Sequence, residues 1–289
     1  KIDDDRFEII PKDTKSNPID ALKVSKELHK NGVKIIIGPV FNENTKYLDD
    51  LKEVTFISFT NKLIDNPKNV ISAGVNAISQ LQTIKKFNNK NNLSKSIILV
   101  PRSEFKKEIE LAINKTNIRH KEVFYYDREP TKLTKQIENL TKYKTRKDNL
   151  KYEIKRIESL SFKNKEKKIQ NLMKRDTLGN IDFDSVIIAD FDENLKSVAT
   201  SLLYTDISSK RVAYITLNQW FDESLLKEES LHPIYFPSIN KKNYELFMND
   251  FKNTYGENGD QLSFLSYDLL GLVYFLIYEN DFKISKKIF

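Results

Sequence analysis

The chain has 289 residues, 39% of them hydrophobic and 31% charged, with a formal charge of +7 at pH 7; this exceeds the ~100–200 residues usual for one domain, so two compact units are expected to share it. The absence of cysteine excludes disulfides, thiolate metal sites and thiol nucleophiles, and no run reads as the ~18 apolar residues of a membrane-spanning helix. The positive charge is local: residues 131–176 hold 15 Lys or Arg against 6 Asp or Glu, and the rest of the chain offers no basic surface that argues for nucleic acid.

Short apolar runs alternate with helix-period segments from the start, the rhythm of a parallel α/β sheet. Residues 7–10 read as a strand. Asn17 can cap a helix with Pro18 at its first position, whose buried stripe is Ala21, Leu22, Val24 and Leu28 and whose end is Asn31-Gly32. Residues 33–37 read as a fully buried strand, stopped by Gly38-Pro39. Asn42 or Asn44 can cap the next helix, and strands follow at 54–58 and near 70–72.

The rhythm restarts with a helix at 76–91, a strand at 96–100, a helix at 103–115 and a strand at 122–126. It resumes with a strand at 185–189, a helix at 192–203, a strand at 212–216 and a short helix at 221–228, and two longer helices close it at 241–255 and 261–278. Chains of this kind bind ligands outside the carboxyl ends of their strands, which makes the loops there the place to look for a site.

The interruption at 131–176 differs in kind. Leu133, Ile137, Leu140, Leu150, Ile154, Ile157 and Leu160 recur at helical spacing among Lys and Glu, the pattern of a helical hairpin or arm whose narrow stripe packs on itself or on one lobe. It reads as a solvated structural arm or a protein-docking one; the stripe is aliphatic and lacks the aromatics of an interfacial membrane helix.

Enzyme chemistry finds little support. His29, His120 and His232 have no i, i+4 pairing, so no metal site is expected. Seven glycines form neither a GxGxxG nor a Walker loop, so no nucleotide cofactor is expected, and no G-x-S-x-G elbow supplies a nucleophile. Asp190 and Asp192 open a helix after a strand, and Asp190 with Glu193 fits a capping pattern. What remains is loops of small polar residues at 38–45 and 58–61, suited to a small polar ligand.

The order of segments resembles a known family. VKIIIGPVFNENTKYL followed by EVTFISFTN, and later FDSVIIADFDENL, AYITLNQWFD and YELFMNDFKNTYGENGDQLSFLSYDLLGL, are similar to type I periplasmic solute-binding proteins of the leucine/isoleucine/valine-binding kind. The arm and its exit, RKDNLKYEIKRIESL and KRDTLGNIDFDSVIIAD, resemble the branch of penicillin-binding-protein activators, lipoproteins that stimulate peptidoglycan synthases. The resemblance implies a two-lobed α/β fold of parallel sheets flanked by helices. Lobe one would be residues 1–73 and 237–289, and lobe two residues 74–236, with the arm at 131–176 inserted in it.

It further implies a non-enzymatic periplasmic module without cofactor that takes an amino-acid-like or other small polar ligand in the interlobe cleft. Its protein partner would be an ABC transporter permease or a peptidoglycan synthase. Carried over by position, the ligand contacts are Pro39, Asn42, Asn44, Thr45, Ser58, Thr60 and Asn61 from lobe one and Pro101, Arg102, Ser103, Asp190, Phe191 and Trp220 from lobe two. The family often has a Tyr-Gly pair where this chain has Pro101-Arg102-Ser103, so weak binding of branched-chain amino acids is expected.

Overall fold

The structure is a computed structural model that describes residues 4–217 and 227–282. The chain divides into two compact units, Lys1–Ala77 with Ser238–Phe289, and Ile78–Pro237.

In the first unit, helix α1 (Pro18–Lys30) starts where the sequence places it: the Asn17 side chain accepts from the amides of Ile19 at 2.8 Å and Asp20 at 3.2 Å, satisfying donors that the first turn leaves without intrahelical acceptors. Strands β1 (Ile35–Ile37), β2 (Thr55–Ser58) and β3 (Val70–Ser72) form a parallel sheet in that order. Leu48, Val54, Phe56 and Val70 pack on one face, and Ile57 joins Leu269, Val273 and Ile277 on the other.

Two expectations fail here. The helix expected between β1 and β2 is replaced by two 3-10 turns, Asn42–Thr45 and Leu48–Asp50. The Thr45 hydroxyl bonds back to the Asn42 carbonyl at 2.7 Å, the local competition by which Asn, Asp and Thr disfavour a longer helix. Residues 7–10 form no strand; Phe7 instead packs edge-on against Tyr274, ring centroids 5.3 Å apart. β1 is therefore the edge of the sheet among the described residues, and its three isoleucines, expected to be fully buried, are only half-buried. Beside it lies an apolar cavity of about 600 Å³ lined by α1, β1 and residues 6–12.

Helices α8 (Lys241–Tyr255) and α9 (Gln261–Glu279) return to this unit, capped by Asn240 and Asp260. By length and composition α9 is long and apolar enough to cross a membrane, against the sequence expectation. One stripe, Leu269, Val273 and Ile277, packs on Ile35, Ile37 and Ile57, while Leu272, Phe275 and Tyr278 on the same helix are exposed.

In the second unit, strands β4 (Ser96–Pro101), β5 (Glu122–Tyr126), β6 (Ser185–Ile188), β7 (Ala213–Thr216) and β8 (Ile234–Tyr235) form a sheet in the order β5-β4-β6-β7-β8. Every pairing is parallel. β4 and β6 are buried along their whole length, as continuous apolar runs covered on both faces must be. Helices α3 (Lys106–Thr116) and α7 (Asp192–Tyr204) supply crossovers, and α2 (Ala77–Lys90) leads into β4. The two-residue β8 is too short to carry a periodic signal, and the helix expected at 221–228 lies almost wholly outside the described residues.

The interruption contains three helices, α4 (Pro130–Leu140), α5 (Tyr143–Glu158) and α6 (Lys165–Met173). Only the last two form an arm. Leu133 and Ile137 of α4 are fully buried in the main core of the unit with Val198 and Leu202 of α7, so α4 is one of the helices that cover the sheet. α5 and α6 share a small core of their own, Leu150, Ile157 and Leu172. Its root is Arg146, almost fully buried: Nε donates to the Thr141 carbonyl at 2.9 Å, Nη1 to the Thr177 hydroxyl at 2.8 Å, and Nη2 to the Thr205 carbonyl.

Candidate functional site

The polar residues expected to meet a ligand lie at the carboxyl ends of the strands in both units. In the first unit they form one bonded loop system. The Ser58 hydroxyl donates to the Pro39 carbonyl at 2.7 Å and accepts from the Thr60 amide at 3.2 Å, while the Thr60 hydroxyl donates to the Asn42 side chain at 3.2 Å. Ser58, Thr60, Asn44 and Thr45 are buried. The Ser58, Thr60 and Thr45 hydroxyls thus help to fix the loops that follow β1 and β2, and Asn61, which is exposed, is the member most open to solvent.

Sequence reasoning missed Gly74. Its amide donates to the Thr60 carbonyl at 3.1 Å, and a Cβ at this position would stand 2.4 Å from the Phe59 carbonyl oxygen and 2.6 Å from that of Thr60. The backbone after β3 presses directly on the 58–61 loop, an approach only glycine permits.

In the second unit Asp190, at the end of β6, is fully buried and holds a network. It accepts from the Tyr126 phenol at 2.7 Å, from Arg128 Nη2 at 2.8 Å and Nε at 3.1 Å, and from the Phe191 amide at 3.0 Å. The expectation that Asp190 caps the following helix is therefore corrected: α7 begins on Phe191 with no side-chain cap, because the Asp190 carboxylate is turned into the lobe to meet Tyr126 and Arg128. Burial, then the neighbouring Asp190 charge, pushes the Tyr126 phenol far above its ordinary range.

Around this network stand Arg102, exposed, with its amide bonded to the Tyr126 carbonyl at 2.8 Å and its guanidinium to the Tyr125 carbonyl at 2.9 Å. Phe191 meets Phe105 edge-on with centroids 6.4 Å apart. Ser103 turns its amide to the Pro101 carbonyl, and its hydroxyl is buried without a partner. Trp220 lies outside the described residues. Tyr126 and Arg128 were not foreseen; the signal was the run YYDREP, where ionisable residues close a strand next to β4.

No group of His, Asp and Glu among the described residues has a metal-binding arrangement. The arrangement that is present, pinned hydroxyls, a half-exposed guanidinium on a buried carboxylate and helix N-termini opening behind strands, orients donors rather than activates a nucleophile.

No protein-family model matches the sequence, and no curated protein matches it. Solved structures do. A branched-chain amino acid ABC transporter protein from Rhodospirillum rubrum superposes with a TM-score of 0.58 at 10% identity, over 90% of this chain and 69% of that one. The chain has the fold of the type I periplasmic binding proteins. Two substrate-binding proteins of this fold from Desulfitobacterium hafniense agree, one with a TM-score of 0.56 at 12% identity (92% of this chain, 70% of that one) and one, in complex with Leu, with 0.54 at 11% (94% and 72%). In this fold the loops just described follow parallel strands, where α/β sheets open toward ligands.

Proposed function

We propose that the chain is a non-enzymatic periplasmic module that binds a small polar ligand with its strand-end loops. The observation that carries this reading is the Asp190 network: a buried carboxylate holds the Arg128 guanidinium in a fixed place at the end of β5. Such preorganised donors suit recognition. The contacts proposed are Pro39, Asn42, Asn44, Thr45, Ser58, Thr60 and Asn61 in the first unit, and Pro101, Arg102, Ser103, Phe191 and Trp220 in the second, with Asp190 acting through Arg128. A partner permease of an ABC transporter fits this role.

The test is calorimetric titration with the amino acids and with small aliphatic and aromatic acids. Saturable one-to-one binding of at least one compound, weakened by Arg102→Gln, is expected. Silence across the whole set overturns the reading.

A second reading, a penicillin-binding-protein activator that acts by contact with a peptidoglycan synthase, is favoured by one observation. The α5–α6 arm carries exposed Tyr152, Leu160, Phe162 and Met173 among its lysines, an apolar and cationic surface suited to a partner. Reversing Lys151, Lys155, Lys167 and Lys168 to Glu should abolish binding to a purified peptidoglycan synthase; unchanged binding removes the arm from this role.

A further inference from the structure

We infer that the ligand is an acid without an ammonium group, such as an aliphatic or aromatic carboxylate, rather than an amino acid. The inference rests on the binding reading above and concerns which chemistry the second unit accepts.

Among the described residues, the buried carboxylate at the strand ends of this unit is already engaged, while donors remain open. Asp190 is fully buried and receives Tyr126, two nitrogens of Arg128 and the Phe191 amide, so no ligand ammonium reaches it. Asp127 accepts from Gln136 Nε2 at 2.6 Å and pairs with Arg102 at 3.6 Å. Asp192 and Glu104 stand exposed in water, where an ion pair contributes little.

Donors, by contrast, remain. A guanidinium carries five N–H groups; Arg128 directs one from Nε and one from Nη2 to Asp190, and its side chain is 34% exposed, leaving three for a ligand. Helices α1, α4, α8 and α9 are capped by Asn17, Glu129, Asn240 and Asp260, but α3 and α7, which follow β4 and β6 at this site, begin on Phe105 and Phe191 without a side-chain cap. The Leu195 amide bonds to the Phe191 carbonyl, and the first turn of α7, which carries its own exposed Asp192 and Glu193, leaves its earlier amides to solvent or a ligand. The buried, unpartnered Ser103 hydroxyl adds a further group. Together they suit a carboxylate, which accepts several charge-assisted bonds at once, while an ammonium would find no buried free carboxylate among the described residues to replace its hydration.

The experiment uses matched pairs that differ only in the amino group: 4-methylpentanoate against L-leucine, and 3-phenylpropanoate against L-phenylalanine, titrated calorimetrically into the whole chain. The acid of at least one pair should bind ten-fold or more tightly than its amino acid, and Arg128→Lys should lower that ratio while the fold, followed by circular dichroism, is kept. Equal or tighter binding of the amino acid overturns the inference and leaves the binding reading intact. Failure of all four compounds overturns the inference, and the binding reading falls only if the wider set of compounds is silent too.

Discussion

Arg128 lays its guanidinium along the Asp190 carboxylate, Nη2 to Oδ1 at 2.8 Å and Nε to Oδ2 at 3.1 Å, with the carboxylate fully buried and the arginine reaching solvent. The two partners are therefore unequal. Arg128→Met strands a buried charge and should cost about 3–5 kcal/mol, whereas Asp190→Asn leaves a cation that can turn to water and should cost about 2 kcal/mol. Urea denaturation of the two variants reads the order, and the reverse order contradicts the geometry.

Tyr126 gives the network a signature in alkali. Its phenol is held far above the ordinary 10.0 by burial and by the Asp190 charge, so the folded state keeps a proton that the unfolded state releases. The associated stability is present below pH 10 and is lost as pH rises beyond it. The urea midpoint should fall more steeply between about pH 9.5 and about pH 11 in the natural protein than in Tyr126→Phe. Tyr214, likewise raised by burial, keeps its own share of the slope in both.

Gly74→Ala places a methyl against two backbone carbonyls that cannot swing aside. The expected cost is about 1–3 kcal/mol, with faster hydrogen exchange of the Thr60 and Gly74 amides. An alanine variant of unchanged stability would mean that the 58–61 loop yields freely.

The arm should tolerate change at its surface and not at its root. Arg146→Met leaves the Thr141 and Thr205 carbonyls without their donor and should cost about 3 kcal/mol. Tyr152→Ser, on an exposed face, should stay within about 0.5 kcal/mol. Thermal denaturation of the two distinguishes root from surface.

The parallel rhythm was legible in the sequence as short apolar runs: β3 and β5 fall at their expected residues and β4, β6 and β7 within one of them. It failed where partners decide. Residues 7–10 have a strand's composition but no strand beside them, and the 42–50 segment folds on its own side chains. The arm was legible as helices, but hydrophobic spacing alone does not say that α4 joins the main core while α5 and α6 pack on each other. At the site, the residue types at the strand ends were visible; that Asp190 turns inward to Arg128 and Tyr126 depends on β5 and β6 both flanking β4, a proximity that no local pattern encodes.

The central claim is that the strand-end loops bind a small ligand. Amide chemical-shift mapping on isotope-labelled protein, titrated with the tightest compound from calorimetry, tests it most directly. Saturable shifts are expected in the strand-end loops, at Ser58 to Asn61 or at Arg102, Ser103 and Phe191. Shifts confined to the α5–α6 arm, or in neither set of loops, would contradict it.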